Sequence, residues 1–410
     1  MNVLIALGNI SPSDDANTNI AKLVARELAH RGHKVSMLGT AFVLADKKEM
    51  VEGIQYYRLV EEENNSINVV ERIKDASGGK GKIKVLLENP RECMCCFGRY
   101  VRARLIDIKE YRYKKAIKKI CKDEKIDLII AITSPIYVVK AALKGNMSIP
   151  VVWYQLDPYS TNPTLAYVKE KNIVKKEQNI LKQVKRALVP QLVYKENLKN
   201  ELSPFVHKMR PVNFPNVRQL EEIDASDDIC LPKGKTNCVF VGIFYEDIRN
   251  PEYLMKMISL LSNSSIQVHF IGDGAEMIVN KYLSECGEYL QLHGRRSLQA
   301  AINAMLHADV LINVGNSTAN MLPSKINDYI STGKPIVNLC SIDNCPSIQY
   351  LEKYPCCLNL LQSQDLKDNM KKFQEFVLNN SGEERFENIQ KLYYKSTPQY
   401  IVDELLKRDC

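Results

Sequence analysis

The sequence predicts an α/β protein of two doubly wound, Rossmann-like domains with a cleft between them. Three observations carry that expectation. The chain has 410 residues, more than one ordinary core accommodates, so length favours two domains. Its first forty residues follow a strand–turn–helix–strand pattern. The same alternation stops at a polar, turn-rich stretch near the middle and then begins again.

The elements follow in order. Val3-Leu4-Ile5-Ala6-Leu7 is a short apolar run, and residues 8–15 are rich in turn formers. Ile20, Leu23, Val24 and Leu28 fall on one helical face, Gly32 is placed to end that helix, and Lys34-Val35-Ser36-Met37-Leu38 reads as the next strand. A βαβ opening implies a parallel sheet with right-handed crossovers. Residues 126–132, 149–154 and 187–190 read as further strands, separated by a helix at 136–143 and a charged helix around 174–185. Residues 213–230 have the composition of a linker, with Asn213-Phe214-Pro215-Asn216 and Asp224-Ala225-Ser226-Asp227-Asp228. Five apolar runs follow, at 238–242, 268–272, 290–294, 310–314 and 335–339. The expected domains are therefore 1–212 and 231–375, joined by 213–230, with an amphipathic segment 376–410 crossing back to the first domain.

Composition narrows the class. The chain is 45% apolar and 25% charged, values of a soluble globular protein. Its net charge of +8 suits anionic ligands or an acidic membrane surface, and equally an ordinary solubility charge. Cys238 and Cys340 sit in apolar runs, and Cys95-Cys96 and Cys356-Cys357 are adjacent pairs unsuited to a disulfide framework, which points to a reducing compartment. The cluster Cys93-Met94-Cys95-Cys96 invites zinc, but no second Cys/His pair at finger spacing follows it. The N-terminus lacks a basic lead, and no apolar run reaches the ~18 residues of a membrane-spanning helix. The expected location is the cytosol, at most the inner face of the plasma membrane.

In open α/β sheets, ligands gather beyond the carboxyl ends of the strands. Three runs of the second half end in glycine, at Gly242, Gly272 and Gly294, where a backbone or a phosphate can approach closely. A plain βα turn explains any one of them equally well. The sharpest segment is Leu322-Pro323-Ser324-Lys325-Ile326-Asn327-Asp328-Tyr329. Pro323 and Ser324 start a helix and Gly333 stops it. The N–H groups and positive dipole end of such a helix form a site for a diphosphate, with Lys325 adding charge and Asp328 an acceptor for ribose hydroxyls. A capped amphipathic helix with a solvated lysine reads the same residues without a ligand.

Pro323-Ser324-Lys325-Ile326, Asp328-Tyr329-Ile330-Ser331-Thr332-Gly333-Lys334-Pro335 and the runs 239–242, 270–274, 292–294 and 308–312 together resemble the donor half of retaining GT-B glycosyltransferases, notably glycosyltransferase family 4. Arg31-Gly32-His33-Lys34-Val35 is similar to that family's first helix-to-strand turn. The resemblance implies transfer of a sugar, with retention and without a metal, from a nucleotide-diphosphate donor. A UDP-sugar is the expected donor, and a saccharide or lipid-linked saccharide of bacterial surface polysaccharide synthesis the expected acceptor. The family's E-x7-E pair falls on Asn320 and Asp328, so neither glutamate is kept. Asn320 remains able to bond a sugar hydroxyl, and Asp328 the ribose. The family's cations after the first donor strand are displaced, and Arg249 takes their place as phosphate clamp, since a guanidinium holds two phosphate oxygens at once. A surface arginine starting a helix is the other reading. Arg295 lies where related enzymes contact base or ribose. The metal's work then falls to the helix N-terminus and these cations.

In the first half, Asp157 in Gln155-Leu156-Asp157-Pro158-Tyr159 is the candidate at the reacting centre, either a base or a turn-capping aspartate. Asn17 and Asn19 stand where the family carries glycines near the diphosphate. The basic and aromatic stretch 99–119 suits an acidic membrane surface as well as a solvated helix face. No nucleic-acid-binding module accompanies that charge, so nucleic acid is not an expected partner.

Two rivals stay open beside the transferase. A catalytically degenerate GT-B subunit, acting by binding alone, is favoured by the loss of both motif glutamates. A nucleotide-sugar 2-epimerase would need carboxylates and a histidine at strand ends, where the six histidines do not fall in that way. An NAD-dependent oxidoreductase is excluded, because Gly8-Asn9-Ile10 does not provide G-x-G-x-x-G.

Overall fold

The structure, a computed structural model, describes residues 1–12, 15–41, 45–60, 98–133, 135–145, 148–160, 172–319, 321–323, 325–380 and 382–407. The chain divides into two compact units, one of Met1–Asn213 with Ile401–Cys410, the other of Phe214–Tyr400.

Unit 1 holds an eight-stranded sheet. Its strands are β1 (Asn2–Asn9), β2 (Lys34–Ala41), β3 (Lys48–Val51), β4 (Ile54–Val60), β5 (Leu128–Thr133), β6 (Val151–Gln155), β7 (Arg186–Pro190) and β8 (Met209–Val212). Their order is β3-β4-β2-β1-β5-β6-β7-β8, with every pairing parallel except β3 with β4. β3 and β4 form a hairpin the sequence reading missed. Glu52 and Gly53, at φ 49° and 76°, make its two-residue turn, the double positive φ that matches strand twist. All four residues of β3 are exposed, and its Lys48 and Glu49 keep this edge polar. That exposure is why no buried-strand pattern marks it.

Unit 2 holds a six-stranded parallel sheet of β9 (Thr236–Ile243), β10 (Ile266–Asp273), β11 (Leu290–Gly294), β12 (Val310–Val314), β13 (Ile336–Cys340) and β14 (Cys357–Leu361). Alternate residues of β9 point to opposite faces. Cys238 and Phe240 join one core cluster and Val239 and Val241 the other. Helices cover both faces, which is why β9 reads as a continuous apolar run. The order β11-β10-β9-β12-β13-β14 reverses direction between β9 and β12. That reversal is the topological switch point, where the loops at the strand ends leave a crevice for a ligand.

Residues 214–230, expected as linker, belong to unit 2. Val217 is fully buried in the cluster with Val239 and Tyr329, and Leu220 and Ile229 pack on it. The polar residues between these three disguised a strap across the sheet. Residues 376–400 also stay with unit 2, through Ile389 and Tyr393. Only the last ten residues return to unit 1. There Arg186 Nη1 donates to Glu404 O at 2.8 Å and Arg31 Nη1 to Asp403 Oδ1 at 2.6 Å. Among the described residues no helix is long and apolar enough to cross a membrane, and the cysteines are free thiols. The Cys93–Cys96 cluster lies outside the described residues.

Candidate functional site

The carboxyl ends of β9 and β12 define the site in unit 2. Beyond β9 the chain folds back on itself, with Tyr245 and Arg249 exchanging both backbone hydrogen bonds at 3.1 Å. This turn carries the Arg249 guanidinium to the switch point. Its Nε and Nη2 donate to Asn316 Oδ1 at 3.2 and 3.0 Å, and its Nη1 to Ile243 O at 3.3 Å. Asn316 follows β12 and is fixed in turn by donating to Met321 O at 3.0 Å. Ser317 N donates to Ile248 O at 2.7 Å, so the two loops hold each other.

Every partner of Arg249 among the described residues is therefore neutral. Burial lowers its pKa, and only the hydroxyls of Tyr329 and Tyr245 act in the opposite direction. A half-buried cation without an anion is held at a cost in desolvation that its neutral partners repay only in part. It is the group that an incoming phosphate would relieve, through two parallel N–H···O bonds.

Gly242 and Gly272 have φ of 156° and 140° and face each other in register on β9 and β10. A Cβ on Gly272 would lie 1.8 Å from the Gly242 carbonyl oxygen. Gly272, expected as a ligand contact, is thus required by the approach of the two strands themselves.

The motif helix runs Lys325–Thr332. Pro323 is buried, and its carbonyl accepts from Ile326 N at 3.2 Å. Gly333 ends the helix at φ 72°, pressed against the Glu384 carbonyl, where any Cβ would clash. β9 and β12 pair only as far as Val239. In the gap beyond, the Tyr329 hydroxyl accepts from Val241 N at 2.8 Å and donates to Val241 O at 3.1 Å. Tyr329 thereby satisfies the backbone of the opening strands and pins the helix to the switch point. Asn320 and Ser324 lie outside the described residues.

Asp328 is buried, and both of its oxygens are occupied. Arg218 Nη1 donates to Oδ1 at 2.9 Å and Lys325 Nζ to Oδ2 at 3.1 Å. Burial pushes this carboxyl up, but Lys325 and Arg218 outweigh it and hold it below the usual range. Sequence reading missed Arg218 because it sits in the stretch taken as linker. The signal was available, since Arg218 is the one cation between residues 213 and 229. Arg295, by contrast, is 72% exposed directly after the edge strand β11 and pairs with Asp273 at 2.9 Å.

In unit 1, β6 delivers Gln155 and Asp157 at its carboxyl end. Asp157 is largely buried, its carboxyl is raised by that burial, and no described residue bonds it. Beside it Glu177 is 2% exposed. Glu177 accepts from Gln155 Nε2 at 3.0 Å and from Ser160 N at 3.1 Å, and burial raises its carboxyl too, against those two donors. The first helix is capped by Asp15, which accepts from Thr18 N at 2.8 Å and Asn9 Nδ2 at 2.9 Å. Asn17 and Asn19, half-buried, stand in its first turn.

No protein-family model matches the chain, and no curated protein does. Solved structures are similar along the whole chain. Sucrose-phosphate synthase from Thermosynechococcus elongatus matches 98% of this chain and 97% of its own, with a TM-score of 0.61 at 13% identity. The lipopolysaccharide outer core galactosyltransferase WaaB matches 99% and 98%, with 0.56 at 11%. The fold is GT-B. A third GT-B structure, described as trehalose-6-phosphate from E. coli bound with UDP-2-fluoro glucose, matches 99% and 96%, with 0.53 at 10%. At such identities the likeness establishes the GT-B architecture, while the chemistry rests on the residues themselves.

Proposed function

We propose that this protein is a glycosyltransferase that moves a sugar from a nucleotide-diphosphate donor, a UDP-sugar, to a saccharide or lipid-linked saccharide in bacterial surface polysaccharide synthesis. The observation that carries the reading is Arg249, a largely buried guanidinium at the β9/β12 switch point whose described partners are all neutral. A diphosphate supplies the missing charge. Lys325, in the first turn of the motif helix that follows β12, extends that anion site. Fixed cations aimed at the leaving diphosphate do the electrostatic work a metal ion does elsewhere, so the transfer is metal-independent. Retention follows from the motif's resemblance. Asp157, raised by burial and without a described partner, takes the acceptor's proton.

A thermal-shift series over uridine, adenosine and guanosine diphosphates tests this. A binder raises the melting temperature with concentration over Kd. No response to any of them contradicts the proposal. Binding without transfer to any acceptor favours the degenerate subunit, to which Asn320 and Asp328 in place of glutamates already lend weight.

We also propose that unit 1 rests on an acidic membrane surface. On the helix Gly98–Asp123, Ile108 and Tyr111 are 55% and 65% exposed. Lys115, Lys118, Lys119 and Lys122 are exposed on the same face, with no carboxylate partner among the described residues. Each such lysine contributes about 1 kcal/mol near an anionic leaflet. Changing these four lysines to glutamine should abolish sedimentation with phosphatidylglycerol vesicles, and unchanged sedimentation refutes the contact.

A further inference from the structure

The two cations on Asp328 differ in how they are held. Lys325 reaches the carboxylate from one turn away on its own helix and is 29% exposed. Its ammonium has no other described partner. Arg218 is anchored through its own backbone N–H and that of the residue before it. The preceding residue, Val217, is fully buried and donates its N–H to Ser396 O at 3.0 Å. Arg218 N donates to Ser331 Oγ at 3.2 Å, and Nη1 also to Asn216 O at 3.0 Å. The strap is further fastened by Asn327 Nδ2 donating to Phe214 O at 2.9 Å. Asn327, Asp328 and Ser331 thus present one face of the motif helix to residues 214–218.

We infer that Arg218 is a positioning residue of the donor site, which holds the Asp328 carboxylate for the ribose while Lys325 turns to the phosphates. This rests on the reading of unit 2 as a nucleotide-diphosphate site. An ammonium on a flexible stem can leave one anion for a stronger one. A carboxylate as buried as Asp328 cannot be left bare, because an unpaired buried charge is strongly unfavourable. The fixed guanidinium removes that obstacle. It bonds Oδ1, so once Lys325 departs Oδ2 is open to a ribose hydroxyl. Aspartate is one methylene shorter than glutamate, and Arg218 of the strap, bonded to its Oδ1, sets where its carboxylate stops.

The test compares uridine, adenosine and guanosine diphosphates with their 2′,3′-dideoxy forms. The wild type should prefer the ribose form by about tenfold or more, the effect of a hydrogen bond to a charged group. Arg218→Ala should bring that ratio close to one, and Arg218→Lys should restore part of it. The remaining preference in the lysine variant should fade at a higher pH than in the wild type, because a weaker counter-charge lets Asp328 take up a proton sooner. Lys325→Ala should weaken both forms alike and leave the ratio unchanged. A wild-type ratio in folded Arg218→Ala, or its loss in Lys325→Ala instead, overturns the inference. A wild type that binds no nucleotide is a separate failure, that of the donor-site reading itself.

Discussion

At the carboxyl ends of its strands, unit 2 holds a half-buried guanidinium, Arg249, without a described carboxylate beside it, whereas unit 1 holds two carboxylates, half-buried Asp157 and buried Glu177, without a described cation. The folds are alike, parallel sheets with helices on their faces, so the architecture does not dictate the charge. Either arrangement costs stability and neither is needed for packing. The natural conclusion is that each end answers to a different ligand group. The cationic end suits a diphosphate. The acidic end suits a hydroxyl that must give up a proton, because a carboxyl raised by burial is a stronger base than a solvated one.

The largest effect should come from the acidic end. Asp157→Asn keeps the shape and removes the base, and transfer should fall by about a hundredfold or more. Its melting temperature should hold or rise, since an unpaired buried charge is gone. Full activity would make Asp157 a turn residue and end the contrast. A smaller effect is expected of Glu177→Gln. Its carboxylate accepts from Gln155 and Ser160 and so fixes the turn that carries Asp157. Turnover should drop severalfold with little change in nucleotide affinity.

A third titratable group, mid-strand in β10, is the control, because it bonds Asn237 and His293 and none of the residues of the two strand-end sites. Asn237 Nδ2 donates to Pro232 O and Lys235 O, so its Oδ1 must accept from His269 Nε2 at 3.1 Å. His269 Nδ1 is then an acceptor, and His293 Nε2 donates to it at 3.0 Å. Burial, with His293 adding to it, pushes His269 down to about 4. A histidine depressed in the fold stabilises above its unfolded pKa, and that stability is lost as pH falls from about 6.5 toward 4. The melting temperature should decline over that window, and His269→Gln should flatten the decline without altering nucleotide binding. An unchanged slope would mean that other groups carry the acid sensitivity.

Much of this was legible in the sequence, for physical reasons. The central strands are buried on both faces, so Val310, Leu311 and Ile312 announce themselves as an unbroken apolar run. The edge strands β3, exposed throughout, and β14, partly exposed, carry no such mark. Arg249 could be singled out as the first cation after β9, although only the fold reveals that its partners are neutral. Arg218 was hidden by the polar company of Val217, whose burial turns a supposed linker into part of the donor unit. Gly272 misled in another way. Glycine at a strand end reads as room for a ligand, and here that room is taken by the neighbouring strand.

The central claim is that Arg249 awaits a diphosphate, and calorimetric titration of the wild type and Arg249→Met with nucleoside diphosphates tests it most directly. The wild type should bind. The methionine variant should bind about ten- to a hundredfold more weakly, as expected on losing charge-assisted hydrogen bonds, and should melt no lower than the wild type, because an apolar side chain of similar length replaces an uncompensated buried charge. Equal affinity in the two proteins, or a methionine variant that melts well below the wild type, would show Arg249 to be structural and would contradict the account.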